Sequence, residues 1–330
     1  MPLDIVGTAA DLNIRAGLIK DGFNSTLKQD FASMELYTPV RTAGKYTAPN
    51  IEMGDFIQAY QGGFTPKNDG TINAETLELQ ELKVDILWTE AQLNSFLKKW
   101  KPQNSQFGDT PLSNKFFVDF LMMNYVYPKM KQELENKISF KGEFVAPTAG
   151  VPGVTMNSCD GLRKRIMDAQ VAGNLAYIPM GAVSPTSIYD KTVLFCRSLP
   201  QPEQDVMGTV NCSRQYLEMF ADSVYEKGKT VIDPRTLGYF TEYPIPGTNK
   251  KLKCYPSQSG NMGLFYTSQK DNLIMLLPTS DMKEEQQYED VLPVINWETS
   301  KRELYGWGNF QMAFGFEYGA NLFVSDTIEL

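Results

Sequence analysis

A chain of 330 residues with 42% hydrophobic and 21% charged residues is long enough to bury a sizeable core and too balanced for wholesale disorder. Its net charge of −8 argues against a nucleic-acid reader, which needs a basic surface to displace counterions from phosphates. Histidine is absent, which removes the Ser-His and Cys-His nucleophile pairs and the usual zinc ligand, and leaves acids, lysines and tyrosines for any catalysis.

Residues 1–37 read as a polar arm with a short helix at 16–28, and residues 1–30 lack the basic segment and apolar core of a secretory signal. Residues 38–73 are rich in Gly, Pro, Thr and Asn, too long for an ordinary connection, and they carry Tyr46, Phe56, Tyr60 and Phe64. Those aromatics argue against a plain linker and predict a hairpin whose partners lie elsewhere. Next, Leu77, Leu79, Leu82, Val84, Ile86 and Trp88 alternate with polar residues, and one slip of phase at Gln80-Glu81 predicts a bulged edge strand.

Thr89 and Gln92 form a capping-box pattern, with Trp88 and Leu93 as its staple and Leu93, Phe96, Leu97 and Trp100 as the buried stripe of the helix. The longest helix is expected at 114–137, where Phe116, Phe120, Met123, Tyr127, Met130 and Leu134 share one face and Pro128 should kink or split it. A Gly/Pro-rich break at 146–153 leads to a helix at 162–171, with Asp160 as cap and Gly173 beyond its end. Residues 191–197 read as a strand. Residues 213–227 read as a helix capped by Ser213, facing the core with Leu217, Phe220 and Val224, and stopped by Gly228.

Turn-bounded apolar runs at 251–255, 264–267 and 272–277 predict an antiparallel meander, followed by a charged loop at 283–290. Near the C-terminus, Phe310, Met312, Phe314, Phe316 and Tyr318 alternate with Gln311, Ala313, Gly315, Glu317 and Gly319: a half-buried strand with an aromatic and a small face. A short strand at 322–324 follows.

Few motifs carry chemistry. Gly228-Lys229-Thr230 imitates a phosphate loop, but Ser223 stands where the first glycine belongs and the triplet follows a helix instead of opening one. Glu284-Glu285 and Glu289-Asp290 read as solvated acids. Cys159, Cys196, Cys212 and Cys254 form no C-x-x-C unit, so reduced, half-buried thiols are expected in place of a metal clip or a disulfide framework. No apolar run is long enough to span a bilayer, and synthesis in the cytoplasm without membrane contact is expected. No catalytic, cofactor-binding or metal-binding residues are assigned.

The order of elements (arm, aromatic Gly-rich loop, edge strand, long amphipathic helix, mixed region, core strand) resembles the major capsid proteins of tailed double-stranded DNA phages. So do DGLRKRIMDAQVAG at 160–173, KTVLFCR at 191–197, SRQYLEMFADSVYEKGK at 213–229, and the run from Ile245 to Met275 with its Asn272-Leu273 pair. The resemblance implies an α+β fold named after phage HK97. It would place an N-arm at 1–37, an extended loop at 38–88, a peripheral domain with the spine helix at 89–150, an axial domain at 151–295, and a return to the peripheral domain at 296–330.

The resemblance further implies self-assembly into the hexamers and pentamers of an icosahedral virion shell, built in the host cytoplasm and enclosing DNA without reading its sequence. No enzyme activity or cofactor is implied, and scaffolding, portal and decoration proteins become the expected further partners. Tyr46, Phe56, Tyr60 and Phe64 become the expected subunit-interface residues. The competing readings are the shell of a bacterial nanocompartment and a cytosolic enzyme using acidic residues.

Overall fold

The computed structural model describes residues 33–52, 71–103, 117, 120–228, 240–269, 271–279, 295–300 and 303–329. The expected arm helix at 16–28, the aromatics Phe56, Tyr60, Phe64 and Phe116, and the charged loop at 283–290 lie outside those residues. Strands β1 (Thr38–Thr42), β2 (Lys45–Glu52), β3 (Thr71–Glu78) and β4 (Gln80–Thr89) precede helix α1 (Glu90–Gln103). A helical rod follows in three sections: a π-turn Met122–Val126, helix α2 (Tyr127–Glu133) and a second π-turn Leu134–Ile138. Then come α3 (Leu162–Val171), β5 (Tyr177–Ile178), α4 (Ile188–Ser198), α5 (Gln201–Asp205), β6 (Gly208–Cys212) and α6 (Arg214–Glu226). Strands β7 (Glu242–Pro244), β8 (Lys250–Cys254), β9 (Phe265–Thr267) and β10 (Leu273–Pro278) are followed by β11 (Asn296–Ser300), β12 (Glu303–Phe316) and β13 (Leu322–Ser325).

Local chemistry sets several of these boundaries as expected. The Thr89 amide donates to Gln92 Oε1 at 2.9 Å and the Gln92 amide donates back to Thr89 Oγ1 at 3.4 Å, closing the capping box of α1. Ser213 Oγ accepts from the Tyr216 amide at 3.1 Å and starts α6. Helix α3 ends where Gly173 turns to φ 79°, so that the amides of Gly173 and Asn174 reach back to Gln170 and Ala169 carbonyls at 3.0 and 2.9 Å.

The rod departs from the expected face. The Tyr127 amide donates to the Met122 carbonyl five residues back, just ahead of Pro128, which enters at the first turn of α2. The wider π-turn advances the side chains by about one position relative to an α-helix. Met123 is therefore exposed, Phe120 is half-buried, and Phe117, Leu121, Met122 and Val126 turn inward with Tyr127, Met130 and Leu134. Pro128 marks a change of helical register.

The described strands form a five-stranded sheet ordered β1-β10-β12-β11 with β4 also paired to β12, a six-stranded sheet ordered β5-β13-β9-β6-β8-β7, and the hairpin β2–β3. The expected meander is corrected here. β8 pairs with β6 and β7, β9 with β13 and β6, and β10 with β1 and β12, so the runs at 251–255, 264–267 and 272–277 do not pair with one another. Turns set where each run ends, but distant segments supply its neighbours. The expected strand at 191–197 is also corrected: it lies inside α4, with Ile188, Thr192, Phe195, Cys196 and Leu199 buried at helical spacing. Finally, the expected bulge at Gln80-Glu81 is a break at Leu79, where β3 leaves the hairpin and β4 joins the large sheet.

Three apolar clusters result. The largest joins the rod, α1 and α3 to the inner face of the five-stranded sheet through Tyr127, Leu134, Phe140, Ile166, Phe314 and Phe316. A second packs α4 and α6 on the six-stranded sheet around Phe195, Val210, Tyr216 and Phe220. A small third cluster of Leu77, Ile274, Leu276 and Ala313 sits at the root of the hairpin.

Candidate assembly surface

Strands β2 and β3 leave the body as an antiparallel pair running from Lys45–Glu78 at the root to Glu52–Thr71. The root is fixed by the Leu79 amide on the Gly44 carbonyl at 2.9 Å and by Thr42 Oγ1 on the Lys45 carbonyl at 2.7 Å. Tyr46 is the one expected interface aromatic among the described residues. Its ring packs on the cluster at the root, and its hydroxyl donates to Glu317 Oε1 at 2.5 Å. Burial, helped by the Glu317 carboxylate, pushes the phenol up to about 12, so it remains a donor at neutral pH.

The hairpin root lies over the outward face of β12 at its C-terminal end. A Cβ at Gly315 would stand 2.7 Å from both terminal methyls of Leu77, so a glycine is what allows this strand to be covered. The expected small face of β12 is thus buried together with its aromatic face from Met312 to Phe316. At the other end, the same outward face is open. Tyr305 lies opposite Leu87, and Trp307 opposite Asp85; Leu87, Tyr305 and Trp307 are exposed and line a shallow cleft of about 240 Å3.

A second apolar surface lies in residues 143–157. Amides of Glu143 and Val145 donate to the carbonyls of Met156 and Asn157 at 2.8 and 3.0 Å, pinning the two limbs of this loop together. Phe144, Val145, Val151, Val154 and Met156 all face outward. The signal was present in the sequence as an absence: no charged residue occurs from 144 to 159.

Asp160 holds this loop to the sheet. It does not cap α3, whose N-cap is Gly161 without a side-chain hydrogen bond. Instead, Oδ1 accepts from the Phe144 amide at 2.8 Å, and Oδ2 accepts from Gln80 Nε2 at 3.1 Å and lies 3.3 Å from Arg165. The Asp160 amide donates to Gln80 Oε1 at 2.7 Å. One carboxylate therefore ties the first residue of β4, the loop and α3 together.

Elsewhere the polar groups serve packing. Lys250 is buried with its amine on the Val206 carbonyl at 2.7 Å and 4.3 Å from the centre of the Tyr266 ring. It lines a polar cleft of about 430 Å3 with Cys196, Arg197 and Asn249. Burial pushes the Cys196 thiol up to about 12, the opposite of what a nucleophile needs. All four cysteines are buried and unpaired. Among the described residues, no cluster of His, Cys, Asp and Glu is placed to hold a metal ion, and no helix is long and apolar enough to cross a membrane.

The sequence matches no family model and no curated protein. The structure, by contrast, matches shell chains over nearly its full length. A chain of the satellite phage P4 procapsid aligns with a TM-score of 0.53 at 14% identity, covering 94% of this chain and 99% of that one. A capsid chain of the native GTA particle aligns at 0.53 and 11% identity, over 92% of this chain and 89% of that one. The capsid chain of the empty GTA particle gives 0.51 and 9% identity over the same shares. At these identities the likeness speaks for the fold alone: a mixed helix-and-sheet fold shared with these capsid chains, as expected of an α+β capsid fold.

Proposed function

We propose that this chain is a major capsid protein, assembling with copies of itself into the hexamers and pentamers of an icosahedral phage head. The observation that carries the reading is the two-way coverage: almost the whole chain aligns with almost the whole of a procapsid chain, with little left over for another task. The projecting hairpin adds support, since a two-stranded ribbon buries too little by itself and gains by lying on another surface. In this reading residues 1–37 are the arm, 38–88 the extended loop, 89–150 and 296–330 the peripheral domain, and 151–295 the axial domain. Tyr46, Phe56, Tyr60 and Phe64 contribute to subunit contacts along the loop.

Each contact in such a shell is modest, and many act together. With each subunit at −8, like charge opposes assembly, and added salt strengthens it by screening. The shell encloses double-stranded DNA without reading its sequence; scaffolding, portal and decoration proteins are the further partners, and no cofactor is needed. Electron microscopy and sedimentation of the purified chain test the reading. Closed shells are expected, and a chain that stays monomeric at high concentration and moderate salt sinks it. Recovery of a protein cargo in place of DNA would favour a nanocompartment. Deleting residues 47–71, which spares β1 and the Tyr46 contacts at the root, should block assembly and leave a folded subunit.

A further inference from the structure

We infer that the charge-free loop at 144–157 of one copy seats in the Leu87–Tyr305–Trp307 cleft of the next copy. This deepens the shell reading and rests on it. Both surfaces are apolar and exposed, Val154 at 64% and Trp307 at 37%. The loop is pinned across its limbs with its apolar side chains outward, and the sheet face is a shallow concavity. Trp and Tyr at the centre of a patch are the residue types that dominate interface energetics, and a loop without charges enters a contact without stripping water from an ion.

The rims offer one charge match, Lys141 at the loop root against the acids around the cleft. Glu81, Asp85, Glu298 and Glu303 surround the cleft on the outward face, with Lys83 the counter-charge beside Asp85 at 2.6 Å. The loop root carries Lys141 beside Arg163, whereas Lys164 is paired with Asp168 at 2.7 Å and Glu143 lies two residues beyond Lys141. Among the described residues Lys141 pairs with no carboxylate. A Lys141–Asp85 match across the contact would fix the register of two copies.

Geometry makes the contact heterologous. Gln80 holds the loop root through Asp160, and Leu87 lies seven residues further along the same extended strand, roughly 23 Å away at strand rise. Donor and acceptor surfaces thus occupy opposite ends of β4, and each copy offers one of each, as a head-to-tail contact in a ring requires.

The test mixes two singly substituted chains, Val154→Cys and Leu87→Cys, both at exposed positions in a protein whose native cysteines are buried. The mixture is assembled and treated with a short bis-maleimide. A covalent dimer is expected from mixed particles and not from particles of either chain alone. In a second arm, Asp85→Lys should raise the concentration needed for assembly about tenfold, and adding Lys141→Glu to the same chain should restore it. Wild-type shells, with no mixed dimer and no rescue by the charge exchange, overturn this contact and leave the shell reading standing. Failure of the wild-type chain to form any higher assembly overturns both.

Discussion

The outward face of β12 is one surface with two fates. From Ala313 to Gly315 it is covered by Leu77, Val40 and Tyr46 of its own chain, whereas Tyr305 and Trp307, on the same face and the same strand, are left to solvent. Strand geometry does not distinguish the two ends, since side chains at i and i+2 share a face along the whole length. The difference lies in what the rest of the chain places there: small residues where the hairpin root lands, large aromatic ones where no other described segment lies. The covered half serves the stability of the chain itself, and the open half is the surface that the proposed contact would use.

The largest effect should come from the inner face of β12, directly behind the covered half. Phe314 is fully buried and meets Tyr37 edge-on at 5.2 Å between ring centres. Phe314→Ala should lower stability by about 3–5 kcal/mol, read as a shifted midpoint in urea unfolding. A midpoint within error of wild type would show that this half of the strand does not bear the core.

Next in size is the close approach itself. Gly315→Ala should cost about 1–3 kcal/mol, because its methyl would enter space held by the Leu77 methyls. Leu77→Ala alone costs burial, but in the double variant the new methyl fills part of the space it vacates. The two costs should add to less than their sum in a double-mutant cycle. Strict additivity would break the comparison by showing that Leu77 does not cover β12.

Much of the subunit was legible where signals are local. The Thr89–Gln92 box, the Ser213 cap and the Gly173 stop are each written within four or five residues, and each formed as expected. Pairing is another matter: β1 runs parallel to β10 and β6 parallel to β8, partners that no turn residue specifies. In α4, the run Thr192-Val193-Leu194-Phe195 has strand propensity, yet the wider spacing from Ile188 to Leu199 was helical, and tertiary packing on α6 decided it. The surface was harder still. Exposed apolar residues such as Leu87 and Trp307 look the same in sequence as core ones, and only the cover over Gly315 reveals which half of the face is bare.

An alkaline titration sharpens the covered half. The Cys159 thiol faces the Met312 carbonyl at 3.5 Å, and burial, followed by the Asp160 charge, pushes it up to about 12 from the ordinary value of 9.0. The folded state therefore keeps a proton that the unfolded chain releases. Stability from this group is intact below about pH 9 and drains as pH rises toward 12, by up to about 1.4 kcal/mol per pH unit in that window. Thermal midpoints should fall between pH 9 and 11, less so in Cys159→Ala relative to its own midpoint at pH 8. Equal losses in both proteins would mean that other buried groups set the alkaline limit.

The smallest effect on the subunit should be the most informative. Trp307→Ala trims a ring that is 37% exposed and lies opposite Asp85 on β4 and Asn296 on β11, so the isolated chain should lose about 1 kcal/mol at most. If the open half of β12 exists for another copy, the same substitution should nevertheless weaken assembly, because a ring at the centre of a contact loses its whole burial there. The two measurements separate the halves of the strand cleanly. A Trp307→Ala chain that melts several degrees lower would place this residue in the subunit's own core, and one that assembles at the wild-type concentration would leave the aromatic patch with no part in the shell.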